Sequence, residues 1–262
     1  MKRIFAILAA AAALCACGPK LVILHTNDTH SHLDPLRDGR GGIIERAAFV
    51  DSVRKANGTD KVLLLHAGDF DQGTSYYTEL HGRLEVEMIN AMGYDAITLG
   101  NHEFDDGIED LASRMKDINC PIVCCNLDLS SFELGQYVKP YVIVERGGMK
   151  IGIIGLETDI STCVSKTISS RIPQLDPVKE TNRWADHLRN VEKCDMVILL
   201  SHQGWDEDLA NAALIKGVDI VVGGHSHYFV DGFEYVEDPD GHQTPVITDG
   251  CWGLEMGVIK YW

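Results

Sequence analysis

Basic side chains are scarce. Against 39 aspartates and glutamates the 262-residue sequence sets 23 lysines and arginines, a formal charge of -16. That shortage argues against a nucleic-acid polymer as partner, because phosphate backbones are bound through clustered lysine and arginine. An acidic surface still admits a small phosphorylated ligand where bound cations invert the local field. The 8 cysteines contain no C-x-x-C pair, which removes the usual support for a thiolate zinc site. No apolar run reaches the roughly 20 residues of a membrane span, and no internal repeat or low-complexity linker divides the sequence. With 45% hydrophobic residues the chain can bury one sizeable core, and a single domain is expected over residues 17–262.

Residues 1–16 read as a leader. Lys2-Arg3 supplies a positive start, Ile4 to Leu14 an apolar middle, and Leu14-Cys15-Ala16-Cys17 resembles the lipobox of bacterial lipoproteins with Cys17 as the acylated residue. The expectation is a protein tethered by lipid in the cell envelope, periplasmic and at the outer membrane. An oxidising compartment would permit disulfides among Cys120, Cys124, Cys125, Cys163, Cys194 and Cys251. Most of these sit in or beside strand-like runs, so burial as free thiols is the preferred reading.

From Leu21 onward, strand and helix signals alternate. Strands are expected at Leu21–His25, Val62–Leu65, the run into Asn101, Ile122–Cys125, Met196–Leu200 and Asp219–Val222, with helices at about 42–56, 78–92, 107–118, 179–191 and 207–215. Such alternation predicts parallel pairing in an α/β fold. Tyr141–Glu145 and Lys150–Gly155 flank Gly147-Gly148 as a hairpin, and 229–236, 245–248 and 257–261 read as antiparallel strands of a tail.

Five of the expected strands end in possible metal ligands. They run into Asp28-Thr29-His30, Gly68-Asp69, Gly100-Asn101-His102-Glu103-Phe104-Asp105, Ser201-His202 and Gly224-His225-Ser226-His227. Chemistry in α/β sheets gathers just past the carboxyl ends of strands. Alone, an Asp-x-His is a solvated loop, a Gly-Asp a turn and Asn101 a helix cap. Five independent strand ends imitating one site is a different matter. Imidazole, carboxylate and amide oxygen suit zinc, manganese, iron or cobalt, and two such cations can clamp the oxygens of a phosphoester under attack. His25, His32, His66, His81, His187 and His242 read as packed or solvated, Asp71 as supporting the Asp69 loop, and Arg37, Arg40 and Arg46 as ordinary ion-pair partners. Glu103 stays open between a structural and a catalytic role.

In order and spacing these five segments resemble the motif set of the calcineurin-like metallophosphoesterases. Leu24-His25-Thr26-Asn27-Asp28 and Asn101-His102-Glu103-Phe104-Asp105 resemble its 5′-nucleotidase branch. The resemblance implies a four-layer α/β/β/α sandwich of two mixed sheets. It places Asp28, His30 and His227 on one divalent metal, Asn101, His202 and His225 on a second, and Asp69 between them. It also puts His102 beside the scissile phosphate, oriented by Asp105, with a metal-activated water as nucleophile.

Secreted relatives of that branch carry a C-terminal domain that holds the nucleoside. The sequence ends at Trp262, soon after the last motif, so the expectation is a separately encoded C-terminal domain or a substrate that is smaller or different. The expected activity is that of a 5′-nucleotidase-type phosphomonoesterase. Its rivals are a phosphodiesterase acting on cyclic nucleotides and a metal-binding envelope lipoprotein without catalysis.

Overall fold

The computed structural model describes residues 18–262; the expected leader over 1–16 and the lipid attachment at Cys17 lie outside the described residues. The chain runs β1 (Leu21–Thr26), α1 (Ile43–Asn57), β2 (Val62–Ala67), α2 (Ser75–Leu80), α3 (Arg83–Met92), β3 (Ala96–Thr98), a 3₁₀ turn (Asn101–Phe104), α4 (Ile108–Met115), β4 (Ile122–Val123) and β5 (Val138–Lys139). It continues through β6 (Tyr141–Arg146), β7 (Met149–Glu157), α5 (Ile160–Cys163), α6 (Lys166–Ser169), α7 (Pro177–Asn190), β8 (Met196–His202), α8 (Trp205–Ala212), β9 (Ile220–Val222), β10 (Glu234–Glu237), β11 (Gln243–Ile247) and β12 (Gly257–Tyr261). Among the described residues no helix is long and apolar enough to cross a membrane.

Two six-stranded sheets form, in the orders β12-β1-β2-β3-β4-β5 and β10-β11-β9-β8-β7-β6. Both are mixed. In the first, β1 to β5 are parallel and β12 lies antiparallel on β1; in the second, β7, β8, β9 and β11 are parallel, with β6 and β10 antiparallel at the edges.

Central strands buried on both faces need apolar side chains at every position, and alternate residues then serve different layers. In β1, Leu21 and Ile23 face the second sheet's Ile151, Ile153, Ile198 and Leu200, while Val22 and Leu24 pack under the α1, α3 and α4 side chains Val50, Val86, Ile89 and Leu111. In β7 and β8, Ile154, Leu156, Val197 and Leu199 turn outward onto Ala185 and Leu188 of α7 and Ala212 of α8. The result is the expected α/β/β/α sandwich, and each fully buried leucine or isoleucine contributes roughly 1.5–3 kcal/mol.

The structure changes four expectations. The helix over 78–92 is two helices, because the chain turns left-handed at His81 (φ 50°) and Gly82 (φ 74°). α7 starts at Pro177, ahead of the expected 179, with Asp176 as its cap; the Asp176 carboxylate accepts the Lys179 N–H at 2.8 Å, and proline fits the first helical turn. The last helix of the second half spans Trp205–Ala212, earlier than 207–215. The tail also divides. β10 and β11 extend the second sheet, β12 crosses to the first, and Phe229 makes only an isolated bridge to Asp249. The β6–β7 hairpin turns at Gly147 and Gly148 as expected, both at positive φ (59° and 69°), the geometry that matches strand twist.

Candidate metal centre

All seven expected ligands follow carboxyl ends of parallel strands: Asp28 and His30 after β1, Asp69 after β2, Asn101 after β3, His202 at the end of β8, and His225 and His227 after β9. The two sheets present these ends to one edge of the sandwich. Two triads converge there. Asp28, His30 and His227 form one and Asp69, His202 and His225 the other, with the ligand atoms of each triad within 4.8 Å of one another. Asp69 reaches both, its Oδ2 lying 3.1 Å from His202 Nε2 and 3.8 Å from His30 Nε2.

Two of the imidazoles are oriented through Nδ1. His202 Nδ1 lies 2.6 Å from the Ala67 carbonyl and His30 Nδ1 lies 3.3 Å from the Asp71 carbonyl. Nitrogens that donate to carbonyls leave Nε2 with its lone pair aimed inward, as metal-binding histidines require. His30 Nε2 and His227 Nε2 are 2.9 Å apart, and His227 Nε2 is 3.2 Å from Asp28 Oδ1. His202 Nε2 and Asn101 Oδ1 are both buried without a hydrogen-bond partner. Convergent lone pairs and orphaned buried acceptors are the arrangement that a pair of divalent cations satisfies, so the residues present fit the group.

The loops bear strain to achieve this. Asp28, His30, Asp69, His225 and His227 all have φ between 45° and 73°, a region costly for residues with a side chain. Surrounding hydrogen bonds hold them there. The His225 N–H donates to both oxygens of Asp28 at 3.1 and 2.9 Å, Asn27 Nδ2 donates to Asp28 Oδ2 at 2.6 Å, and the His102 N–H donates to Asp69 Oδ1 at 2.9 Å. Burial pushes the Asp69 carboxyl up, but the neighbouring His202, His30 and His102 outweigh it and hold the group well below the usual carboxylate range. Burial lowers His30 and His225, whereas Asp69 and Asp28 outweigh burial at His202 and hold it well above the usual histidine value.

His102 stands at the rim, its ring centroid 5.3 Å from that of His30. Its Nδ1 is 2.8 Å from Asp105 Oδ2, and that hydrogen bond raises His102 to about 9 against the opposing effect of burial. Glu103, left open by the sequence, takes a backbone role. Its carboxylate accepts four N–H groups, from Asp69 (3.0 Å), Phe70 (2.9 Å), Asp71 (3.1 Å) and Gly100 (2.5 Å), so it ties the β2 loop to the β3 loop. Burial pushes it up to about 7, while the backbone donors oppose the rise.

Asp71 supports the same loop through an ion pair with the buried Arg114, whose Nη2 also donates to the Glu103 carbonyl at 3.2 Å. Arg40 pairs with Asp38 on the surface. Arg46 does not make the ordinary ion pair expected of it; it is buried and donates to the His32 carbonyl at 2.8 Å. His25 and His66 are buried and His32 stacks on Trp252 with centroids 4.8 Å apart. All six cysteines of the described chain are free, with Cys124, Cys125, Cys194 and Cys251 buried.

Sequence reasoning gave Asn27 no role of its own and passed over Glu157. Asn27 Nδ2 joins Asp28 to the Gly250 carbonyl (2.7 Å), and its Oδ1 accepts the Asp249 N–H (3.0 Å), fastening the segment before β12 to the centre. Glu157 ends β7 in register with His202. Its signal was the same as that of the other five, an apolar run, Ile151 to Leu156, breaking into a carboxylate.

A profile of the calcineurin-like phosphoesterases matches residues 21–229. The snake venom 5′-nucleotidase of Gloydius brevicauda is 35% identical over 278 residues, covering 96% of this chain and 46% of its own. The 5′-nucleotidase of Bos taurus is 35% identical over 271 residues, covering 92% and 46%. Among solved structures, a 5′-nucleotidase precursor from Thermus thermophilus superposes with a TM-score of 0.84 at 32% identity, covering 91% of this chain and 50% of that one. The chain therefore spans about half the length of these relatives. The match over most of the sequence, on a fold whose two sheets bring both ligand triads to one edge, makes this chain a member of the calcineurin-like phosphoesterase family.

Proposed function

We propose that the chain is the catalytic unit of a phosphomonoesterase acting on nucleotides. The observation that carries this reading is the pair of ligand triads sharing Asp69, with His102 and its Asp105 partner at their rim. Asp28, His30 and His227 hold one divalent cation, Asn101, His202 and His225 the other, and Asp69 serves both. Zinc, manganese, iron or cobalt bound there supplies Lewis acidity toward phosphoryl oxygens and activates water. With Nδ1 engaged by Asp105, His102 Nε2 is the nitrogen available to donate to the phosphate or to the leaving alkoxide. Similarity to enzymes named 5′-nucleotidases supports a nucleotide as the ester.

Residues 18–262 with manganese are expected to release phosphate from adenosine monophosphate faster than they cleave a cyclic nucleotide or an aryl diester. Faster diester cleavage would assign the chain to the phosphodiesterases. Binding of metal with no turnover of either class would make it a binding protein.

Two further readings extend this one. A nucleotidase C-terminal domain added as a separate polypeptide lowers KM for the nucleotide, and unchanged kinetics would count against such a partner. Lipid on Cys17 tethers the protein to the cell envelope, periplasmic and at the outer membrane. A Cys17→Ala chain that stays in the membrane fraction would overturn that.

A further inference from the structure

Glu157 is fully buried, and its environment is only half satisfied. Asn126 pins its backbone on both sides, accepting the Glu157 N–H at Oδ1 (2.9 Å) and donating from Nδ2 to the Glu157 carbonyl (2.7 Å). The side-chain Oε1 accepts the Thr158 N–H at 2.8 Å, whereas Oε2 is buried with no hydrogen-bond partner. An orphaned carboxylate oxygen in the interior bears its desolvation cost uncompensated, so its retention calls for a partner.

Its position indicates which. Glu157 and His202 are directly paired residues of the parallel strands β7 and β8, so their side chains share a face of the sheet. His202 reaches from that face to the Ala67 carbonyl of the first sheet, so the shared face is the one between the sheets. The outward residues of β7, Ile154 and Leu156, lie in the opposite layer under α7, consistent with an inward Glu157. The seven ligands bring only two carboxylates, Asp28 and Asp69, to a pair of divalent cations.

We propose that Glu157 is a positioning carboxylate of the metal centre, one layer behind the ligands, whose Oε2 accepts a hydrogen bond from the hydration of the cation held by Asn101, His202 and His225. This rests on the two-cation reading above. A carboxylate so placed raises affinity by adding charge and by fixing the shell, and losing an outer partner of this kind typically costs 10–100-fold in metal affinity.

The test is calorimetric titration of the metal-stripped protein with manganese, wild type against Glu157→Gln and Glu157→Asp. Glutamine keeps the acceptor for Thr158 and presents an amide N–H₂ where Oε2 stood. One of the two sites should weaken 10–100-fold in Glu157→Gln, with the other unchanged within twofold and affinity partly restored in Glu157→Asp. Equal isotherms for wild type and Glu157→Gln would make Glu157 a neutral structural acid and overturn the inference while leaving the two-cation reading intact. A wild-type protein that binds no metal would overturn both. If Glu157→Gln fails to fold, a manganese-loaded crystal of the wild type decides. Oε2 within hydrogen-bond distance of an ordered water on that cation supports the proposal, and Oε2 bonded only to protein refutes it.

Discussion

His102 keeps 35% of its side chain open to solvent while the next residue, Glu103, is fully buried, and the two are separated by function in the same way. Glu103 holds backbone, whereas His102 has one nitrogen on Asp105 and the other free. His102→Asn should therefore lower kcat by roughly 10²–10⁴ and leave the bound metal unchanged, as read by steady-state kinetics beside elemental analysis. Equal loss of metal and activity would make His102 a ligand. Elsewhere, His25 Nδ1 and Asp249 Oδ2 face each other at 3.2 Å beneath the centre. Burial lowers His25 to about 4 and raises Asp249 to about 7, so between those values a neutral imidazole meets a neutral acid. The depressed histidine adds stability above its ordinary 6.5 that is lost as pH falls through 4. The raised aspartate adds stability below its ordinary 3.8 that is lost as pH rises through 7. The two slopes oppose each other. Relative to wild type, Asp249→Asn should gain thermal stability from pH 4 to 7 and His25→Gln should lose it, each by about 3 kcal/mol at most over that window. Melting curves that stay parallel across pH for all three proteins would contradict the assignment.

At the scale of elements, each ligand depends on how its strand ends. Gly68 sits between β2 and Asp69 at φ 82°, and a Cβ there would meet His202 Nδ1 at 2.6 Å and the Leu99 carbonyl at 2.7 Å. Gly68→Ala should displace both Asp69 and His202, costing about 1–3 kcal/mol of stability together with metal affinity. Wild-type melting and metal content in that variant would show the close approach to be dispensable. The strands that carry ligands were legible because burial on both faces demands unbroken aliphatic runs, and the polar residue that follows each run marks its end. β5 has two residues, too few to show a period, and the break at His81-Gly82 lies inside an otherwise helical apolar pattern. The destination of β12 depends on a partner strand more than 230 residues away, which no local pattern encodes. The side chains that converge at the sheet edge were legible in Asp28-Thr29-His30 and His225-Ser226-His227. Asp71 was legible as a support of the Asp69 loop, but its partner Arg114, 43 positions away, was not, and Glu157 meets His202 only through strand register.

For the whole molecule, the centre joins the two sheets. Asp28, His30, Asp69 and Asn101 come from the first, and His202, His225 and His227 from the second. Cations bound there link the halves of the sandwich, and ligands that bind only the folded state stabilise it by mass action. The acidic surface, which repels polyanions, does not bar a small phosphoester from a site whose own field is set by cations. The most direct test strips the protein with a chelator, then titrates manganese while following bound metal and phosphate release from adenosine monophosphate. Two equivalents bound per chain, with no release before metal and full release once both sites fill, is the predicted result. Two equivalents bound without phosphate release, or undiminished release from the stripped protein, would contradict it.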